Sequence, residues 1–335
     1  MDKVESLDVA AILPLTVGDP LLCDVELPLR GIYYPCGFAV EITTNSPAVL
    51  DAAQESWGRF HKTFSEPPVR LRVGVMGAGN GICPPTQTCR SWHNMLLTLT
   101  DADNYSVCDL SRGTGFCWLT QSTVDDRAHL RYIFLEGNIL CMLQHLYLAP
   151  VHGACVRFQD CGVLLCGDSG AGKSSLSYAC ARRGWTFVSD DTSSLVRSRK
   201  DLMCVGNPYQ VRFREAAVDL FPELCQQAIT QRATGEMAIE LATAAVAEIS
   251  TALTSSVDYV VFLNRRDHLP AGLVSLPKEA ALAWFEQVIT HGEAESRREQ
   301  KMALRRLLEK PILELRYRDL DWAVDRLELM VQEGA

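Results

Sequence analysis

From Gly167 to Ser174 the chain reads GDSGAGKS, and the chemistry of that spacing is the holding of polyphosphate. Glycines at its two ends let successive backbone N–H groups turn inward around phosphate oxygens, and a helix starting there adds the positive end of its dipole. Lys173 supplies a cation for the β and γ phosphates, and Ser174 Oγ is a ligand for Mg²⁺. Gly167, Asp168, Ser169, Gly170, Ala171, Gly172, Lys173, Ser174 and Ser175 are therefore the expected nucleotide contacts. A second chemical group follows in Ser189-Asp190-Asp191. Two adjacent carboxylates at the end of a strand point to opposite sides of the pleat. One can then hold Mg²⁺ while the other accepts the proton of an incoming hydroxyl during phosphoryl transfer. A third group is His152, upstream of the loop, whose imidazole sits near the loop if the two strands between them pair as a hairpin.

The elements around these residues are those such a site needs. "CVRF" and "GVLLC" are short apolar strands separated by a turn, and the second leads directly into the glycine loop. The spacing predicts a helix from about Lys173 to Arg183, stopped by Gly184 as a left-handed cap. "WTFVS" is the next strand, which brings the Asp pair back beside the loop, where ligands of open α/β sheets bind. "VDYVVFLNR" has the β-branched and aromatic run of a buried strand. "LPKEAALAWFEQVITHG" and "DLDWAVDRLELMV" are amphipathic helices, the first with Ala281, Trp284, Phe285, Val288 and Ile289 on one face. "EISTALTSS" is ambiguous between helix and strand.

The first 130 residues read as mixed α and β. "SPAVLDAAQESWGRF" offers Ser46 as a helix cap and Pro47 in the first turn, "VRLRVGV" alternates as a half-buried strand, and "NYSVCDL" with "FCWLTQS" forms a hairpin. A helical stretch from about Arg131 to Leu146 then leads into the second domain, so the expected division is 1–130 and 131–335. "GVMGAGNG", Gly74 to Gly81, invites a dinucleotide reading. Ile82 stands where the third glycine is needed, and Pro84 and Pro85 forbid the helix that would face a pyrophosphate. It reads as a surface loop.

Composition narrows the class. The chain has 335 residues, 47% of them hydrophobic, enough for two packed domains. With 32 basic against 41 acidic residues the net charge is −9, which gives no overall attraction to nucleic acid or anionic membrane. No 18-residue apolar run occurs. The 13 cysteines include no CxxC pair, and "MDKVESLDVA" lacks a signal peptide's basic start and apolar run, so free thiols in a cytoplasmic protein are expected.

Taken as a block, "HGACVRFQDCGVLLCGDSGAGKSSLSYACARRGWTFVSDD" resembles the catalytic domain of the HPr kinase/phosphorylase family and its related serine kinases. In that family a His-Gly begins the block, a GxSGxGKS loop follows at this distance, and an Asp pair closes it. The resemblance implies an α/β P-loop kinase domain of the HPr kinase/PEP carboxykinase type, preceded by a smaller mixed α+β domain. It implies ATP and Mg²⁺, and transfer of the γ-phosphate to a serine-type hydroxyl on a protein, peptide or small molecule. His152, Lys173 and Asp191 fall on active-site positions, with Asp191 as proton acceptor and Asp190 beside it. Ser174, Asp190 and Glu215 fall where Mg²⁺ ligands are expected, and Arg265 or Arg266 where a later active-site arginine is. The family commonly forms hexamers, so a homo-oligomer is implied. Two departures stand out: "VRFREAAVDLFPEL" replaces the family's Glu-Ile-Arg-Gly signature, and residues 1–130 do not match its usual N-terminal domain. Both point to an acceptor other than HPr. The alternatives are a P-loop ATPase or nucleotide switch with no acceptor, and an ATP sensor without chemistry. Guanine specificity has no support, because "FLNRRD" lacks the lysine of Asn-Lys-x-Asp.

Overall fold

A computed structural model describes residues 24–79, 87–231, 237–265, 270–288 and 294–334. Two compact units divide the chain at Met1–Leu146 and Tyr147–Ala335.

In the first unit, seven strands make one mixed sheet. They are β1 (Leu29–Tyr33), β2 (Val40–Thr44), β3 (Val69–Val75), β4 (Thr88–Trp92), β5 (Met95–Leu99), β6 (Tyr105–Asp109) and β7 (Thr114–Leu119), in the order β1-β2-β3-β7-β6-β5-β4. β2, β3 and β7 run parallel, and β6–β7 is the expected antiparallel hairpin. The alternation in "VRLRVGV" buries Val69, Leu71 and Val73 on one face. Helix α1 (Pro47–Trp57) buries Val49, Ala52, Ala53 and Trp57, while Phe60 lies beyond its end. After the short helix α2 (Gln121–Asp125), a π-helical run, Leu130–Gly137, leads into α3 (Asn138–Leu146). These helices pack against α1, β3 and β6, so the division falls after Leu146 rather than after residue 130. Gly77 and Gly79 follow β3 with φ of +71° and +72°, as befits a loop. The rest of that glycine stretch, including Ile82, Pro84 and Pro85, lies outside the described residues.

The second unit is an α/β domain built around the glycine loop, residues 167–172. Strand β8 (Leu148–Phe158) folds back on β9 (Cys161–Cys166), with Gly153 opposite Cys166. The loop follows, then α4 (Lys173–Arg182), ended by Gly184 with φ of +90°. Next come β10 (Thr186–Ser189) and β11 (Thr192–Val196), both antiparallel to β8. After β12 (Cys204–Val205), a separate small sheet forms from β13 (Gln210–Phe213), β14 (Ile229–Gln231) and β15 (Met237–Ala242), in the order β13-β15-β14. The ambiguous "EISTALTSS" resolves into two short strands, β16 (Ser250–Thr251) and β17 (Thr254–Ser255). The chain then makes β18 (Tyr259–Asn264), β19 (Gly272–Ser275), α5 (Lys278–Val288), α6 (Ala294–Arg305), β20 (Ile312–Arg316) and α7 (Leu320–Glu333).

β9, β18 and β20 are parallel neighbours at the centre of the main sheet, and their apolar runs are what a sheet covered on both faces requires. One face is closed by α4 and α7 around Tyr178, Trp185, Val324 and Leu327; on the other, Leu164 and Cys166 pack with Ala281 and Phe285 of α5. Every described cysteine is a free thiol, and among the described residues no helix is long and apolar enough to cross a membrane.

Candidate active site

Because β8 and β9 pair as a hairpin, His152, one residue before Gly153, sits level with the start of the glycine loop. β10 runs antiparallel to β8 with Ser189 opposite Cys155, so the Asp pair that follows it returns to the same end of the sheet. Three segments distant in sequence therefore deliver His152, Lys173 and Asp191 to one place.

The loop has the backbone a phosphate cradle needs. Gly167, Gly170 and Gly172 have φ of +151°, +87° and +98°. At Gly172 a β-carbon would also stand 2.7 Å from Tyr317 Oη and 3.2 Å from Arg265 Cδ, so both conformation and space call for glycine. Tyr317 anchors the loop from below by donating to the Ala171 carbonyl at 3.3 Å. Ser174 lies in the first turn of α4, whose free N–H groups open towards the loop.

Lys173 is only 5% exposed. Its Nζ donates to the carbonyls of Gly167 (2.8 Å) and Asp168 (3.3 Å), and lies 3.1 Å from His152 Nε2 and 3.5 Å from Asp191 Oδ1. Burial lowers the His152 pKa, with the Lys173 charge adding to that and Asp191 opposing it, so the ring is neutral near pH 7. A neutral ring facing an ammonium must accept through Nε2, which places its proton on Nδ1, the atom 3.5 Å from Asp191 Oδ1. Asp191 Oδ1 thus lies 3.5 Å from both the Lys173 ammonium and His152 Nδ1 while its side chain remains 42% exposed. Trp284 of α5 braces this group: its ring lies 6.4 Å from the His152 ring at 28°, and its Nε1–H donates to Asp168 Oδ1 at 3.1 Å.

Asp190 points the other way, as the pleat requires. It is 9% exposed, and its Oδ2 accepts the Arg212 backbone N–H at 2.6 Å, tying β13 to the main sheet. Burial pushes its carboxyl up to about 6, with the Arg212 N–H pulling down and the Asp191 charge pushing up. A carboxyl whose folded pKa lies above its unfolded value holds its proton more tightly in the fold. Its contribution is fully present below about pH 4 and is lost as pH rises through about 6. Asp190→Asn keeps an acceptor for Arg212 and removes the buried charge. In metal-free buffer the variant is expected to melt roughly 4–8 °C above wild type at pH 8, on the order of 2 kcal/mol, with the gap closing towards pH 4. Thermal melts of both proteins across that range check it.

A cavity of about 270 Å³ gathers much of the expected site: Ser169, Gly170, Gly172, Lys173, Ser174, Ser175, Asp190, Asp191 and Arg265 all line it. Arg265 leaves the end of β18 with its guanidinium 5.8 Å over the Tyr317 ring; Arg266 lies outside the described residues. Glu215 does not join them. It opens a 3₁₀ turn, Glu215–Asp219, in which positions three apart share a face. Ala217 and Leu220 therefore face the loop cavity, while Glu215 and Val218 line a different one of about 360 Å³. Among the described residues no group of three His, Cys, Asp or Glu side chains is placed to hold a metal ion. One serine hydroxyl and two carboxylates beside a phosphate cradle fit Mg²⁺ only as the partner of bound phosphate, which is how that ion is usually held.

Sequence reasoning missed Arg214, Trp284 and Tyr317. The first lies in a stretch whose resemblance is weak and which lacks the expected signature, and the other two are indistinguishable in sequence from core aromatics.

Residues 147–216 match the family described as HPr Serine kinase C-terminal domain. Three curated HPr kinase/phosphorylases, from Bacillus cereus (strain B4264), Bacillus anthracis (strain A0248) and Bacillus thuringiensis subsp. konkukian (strain 97-27), are each 32% identical over 102 residues, 29% of this chain. The match spans 30% of the length of those relatives. The HPr(Ser) kinase/phosphatase of Coxiella burnetii superposes with a TM-score of 0.33 and 13% identity, covering 55% of this chain and 93% of that one, too loosely to bear on the argument.

Proposed function

We propose, on the premise that the second unit of this chain is related to the HPr kinase/phosphorylase family, that the protein is a kinase transferring the γ-phosphate of ATP to an alcohol. The observation that carries the proposal is the placement of Asp191 Oδ1 3.5 Å from the loop lysine, on the wall of the cavity that holds the loop. A carboxylate there can reach a hydroxyl poised over the last phosphorus of a nucleotide in the cradle.

In this reading the loop amides and Lys173 hold the triphosphate, and Ser174 with Asp190 would hold Mg²⁺. That metal would supply positive charge to offset the phosphate oxygens. Asp191 takes the proton of the acceptor hydroxyl as its oxygen bonds to the γ-phosphorus. The bond from that phosphorus to the bridging oxygen breaks, and ADP leaves with the electron pair. His152, with its Nδ1 3.5 Å from Asp191 Oδ1, flanks the carboxylate on the loop side. Little covalent work falls to the protein in such a transfer, so positioning and charge dominate.

The acceptor we infer is not HPr. The family model matches residues 147–216, whereas Met1–Leu146 forms a unit of its own outside that match, which we assign to acceptor choice or to assembly as a homo-oligomer. The test is an assay with γ-labelled ATP on cell lysate separated into protein and small-molecule fractions. Label entering one fraction in a chain-dependent manner supports the kinase and identifies the acceptor class. Release of labelled inorganic phosphate at the same rate with and without lysate overturns it in favour of a nucleotide hydrolase.

A further inference from the structure

Arg214 was not among the residues that motif or resemblance singled out, yet it lies across the crest of the phosphate loop. Its Nη2 donates to Ser169 Oγ at 2.7 Å, and its Nη1 stands 3.4 Å from where a Gly170 β-carbon would be. Among the described residues no carboxylate pairs with it, although Arg182, Arg183, Arg197, Arg199 and Arg212 of the same unit each have one. A guanidinium has five N–H donors, and a single neutral hydroxyl engages few of them. It faces a cavity lined by Lys173, Ser174, Asp191 and Arg265.

The position is built. Arg214 directly follows β13, and that strand is fixed at two points. The Arg212 N–H binds the Asp190 carboxylate, and the Phe213 ring locks edge-on against Tyr178 of α4 (5.2 Å, 81°) and beside Phe221 (5.8 Å). α4 is the helix whose N-terminus closes the phosphate loop. The strand that presents Arg214 is thus keyed both to the Asp pair and to the loop's own helix. A flexible surface arginine has no such support.

We propose that Arg214 binds the terminal phosphate of the nucleotide, exchanging its neutral Ser169 partner for anionic oxygens. The inference rests on the kinase reading, because it needs a triphosphate in the cradle. Arginine is well suited to this role, since its planar fork matches two phosphate oxygens and its charge persists at every working pH. Arg214 approaches at Ser169 and Gly170, away from the Gly172 end where α4 begins and Arg265 stands, which suits it to the phosphate farthest from the helix.

The experiment measures binding by calorimetry with Mg²⁺ and two probes, a non-hydrolysable ATP analogue and ADP, for wild type, Arg214→Ala and Arg214→Lys. Arg214→Ala is expected to weaken the triphosphate analogue at least tenfold while changing ADP affinity less than twofold, and Arg214→Lys to recover part of the loss. Equal weakening of both ligands would show that Arg214 only shapes the loop and would overturn the proposal, as would no change in either. A wild-type chain that binds neither probe overturns the underlying kinase reading and this one with it. That result differs from ADP and the analogue binding equally well to wild type and Arg214→Ala, which removes only the role of Arg214. Because Arg214 is exposed, both variants are expected to melt within about 2 °C of wild type, and Arg214→Lys keeps the comparison readable if the alanine variant does not fold.

Discussion

Asp191→Asn retains nucleotide affinity within about twofold of wild type and loses phosphoryl transfer by roughly 10²–10⁴-fold. The reason lies in what the substitution leaves alone. The side-chain amide of the variant still offers an oxygen to the Lys173 ammonium and the His152 Nδ1–H, the two donors now 3.5 Å from Oδ1, so the loop and its lysine keep their arrangement. What disappears is a group able to take a proton. An effect on turnover with little effect on binding is the mark of an interaction used only as the transition state is reached. Calorimetric affinity for the ATP analogue, beside single-turnover transfer to the acceptor found in the labelled-ATP assay, separates the two. If the variant transfers phosphate at the wild-type rate, Asp191 is not the base.

The second large effect is expected from Lys173→Met. The ammonium is nearly enclosed and sits among two carbonyls, an imidazole and a carboxylate. Methionine matches its length and apolar stem but brings no charge, so phosphate loses its principal buried cation. Affinity for the triphosphate analogue is expected to fall at least tenfold and transfer at least a thousandfold. The substitution also has a signature independent of activity. Burial and the Lys173 charge both depress the His152 pKa while Asp191 raises it, so removing the lysine leaves burial alone against the carboxylate and the imidazole pKa rises. An NMR titration of His152 in both proteins reads this directly. An unmoved His152 pKa would mean that the three groups are not in contact in solution.

Much of the second unit was legible beforehand because its signals are local. The β9 run, the glycine loop and the helix ended by Gly184 are consecutive, and each is set by near neighbours in the chain. The long π-helical run before α3 was readable as helix, but its membership in the first unit was not. Nothing in an amphipathic stretch says which sheet will cover its apolar face. Glu215 shows the same limit on a finer scale: its distance from the Asp pair is right for a ligand, yet the three-residue period of its turn carries it to another cavity.

By itself, the order of amino acids determined the glycine loop and its helix, since their conformation depends on residues adjacent in the chain, and it determined that the two aspartates part company across a pleat. Only the tertiary structure decided what surrounds them: Trp284 against His152 and Asp168, Tyr317 beneath Ala171, Arg214 over Ser169. Those partners come from 45 to 146 positions away in the chain, and such contacts arise from how sheets and helices stack. No spacing rule within the sequence encodes them.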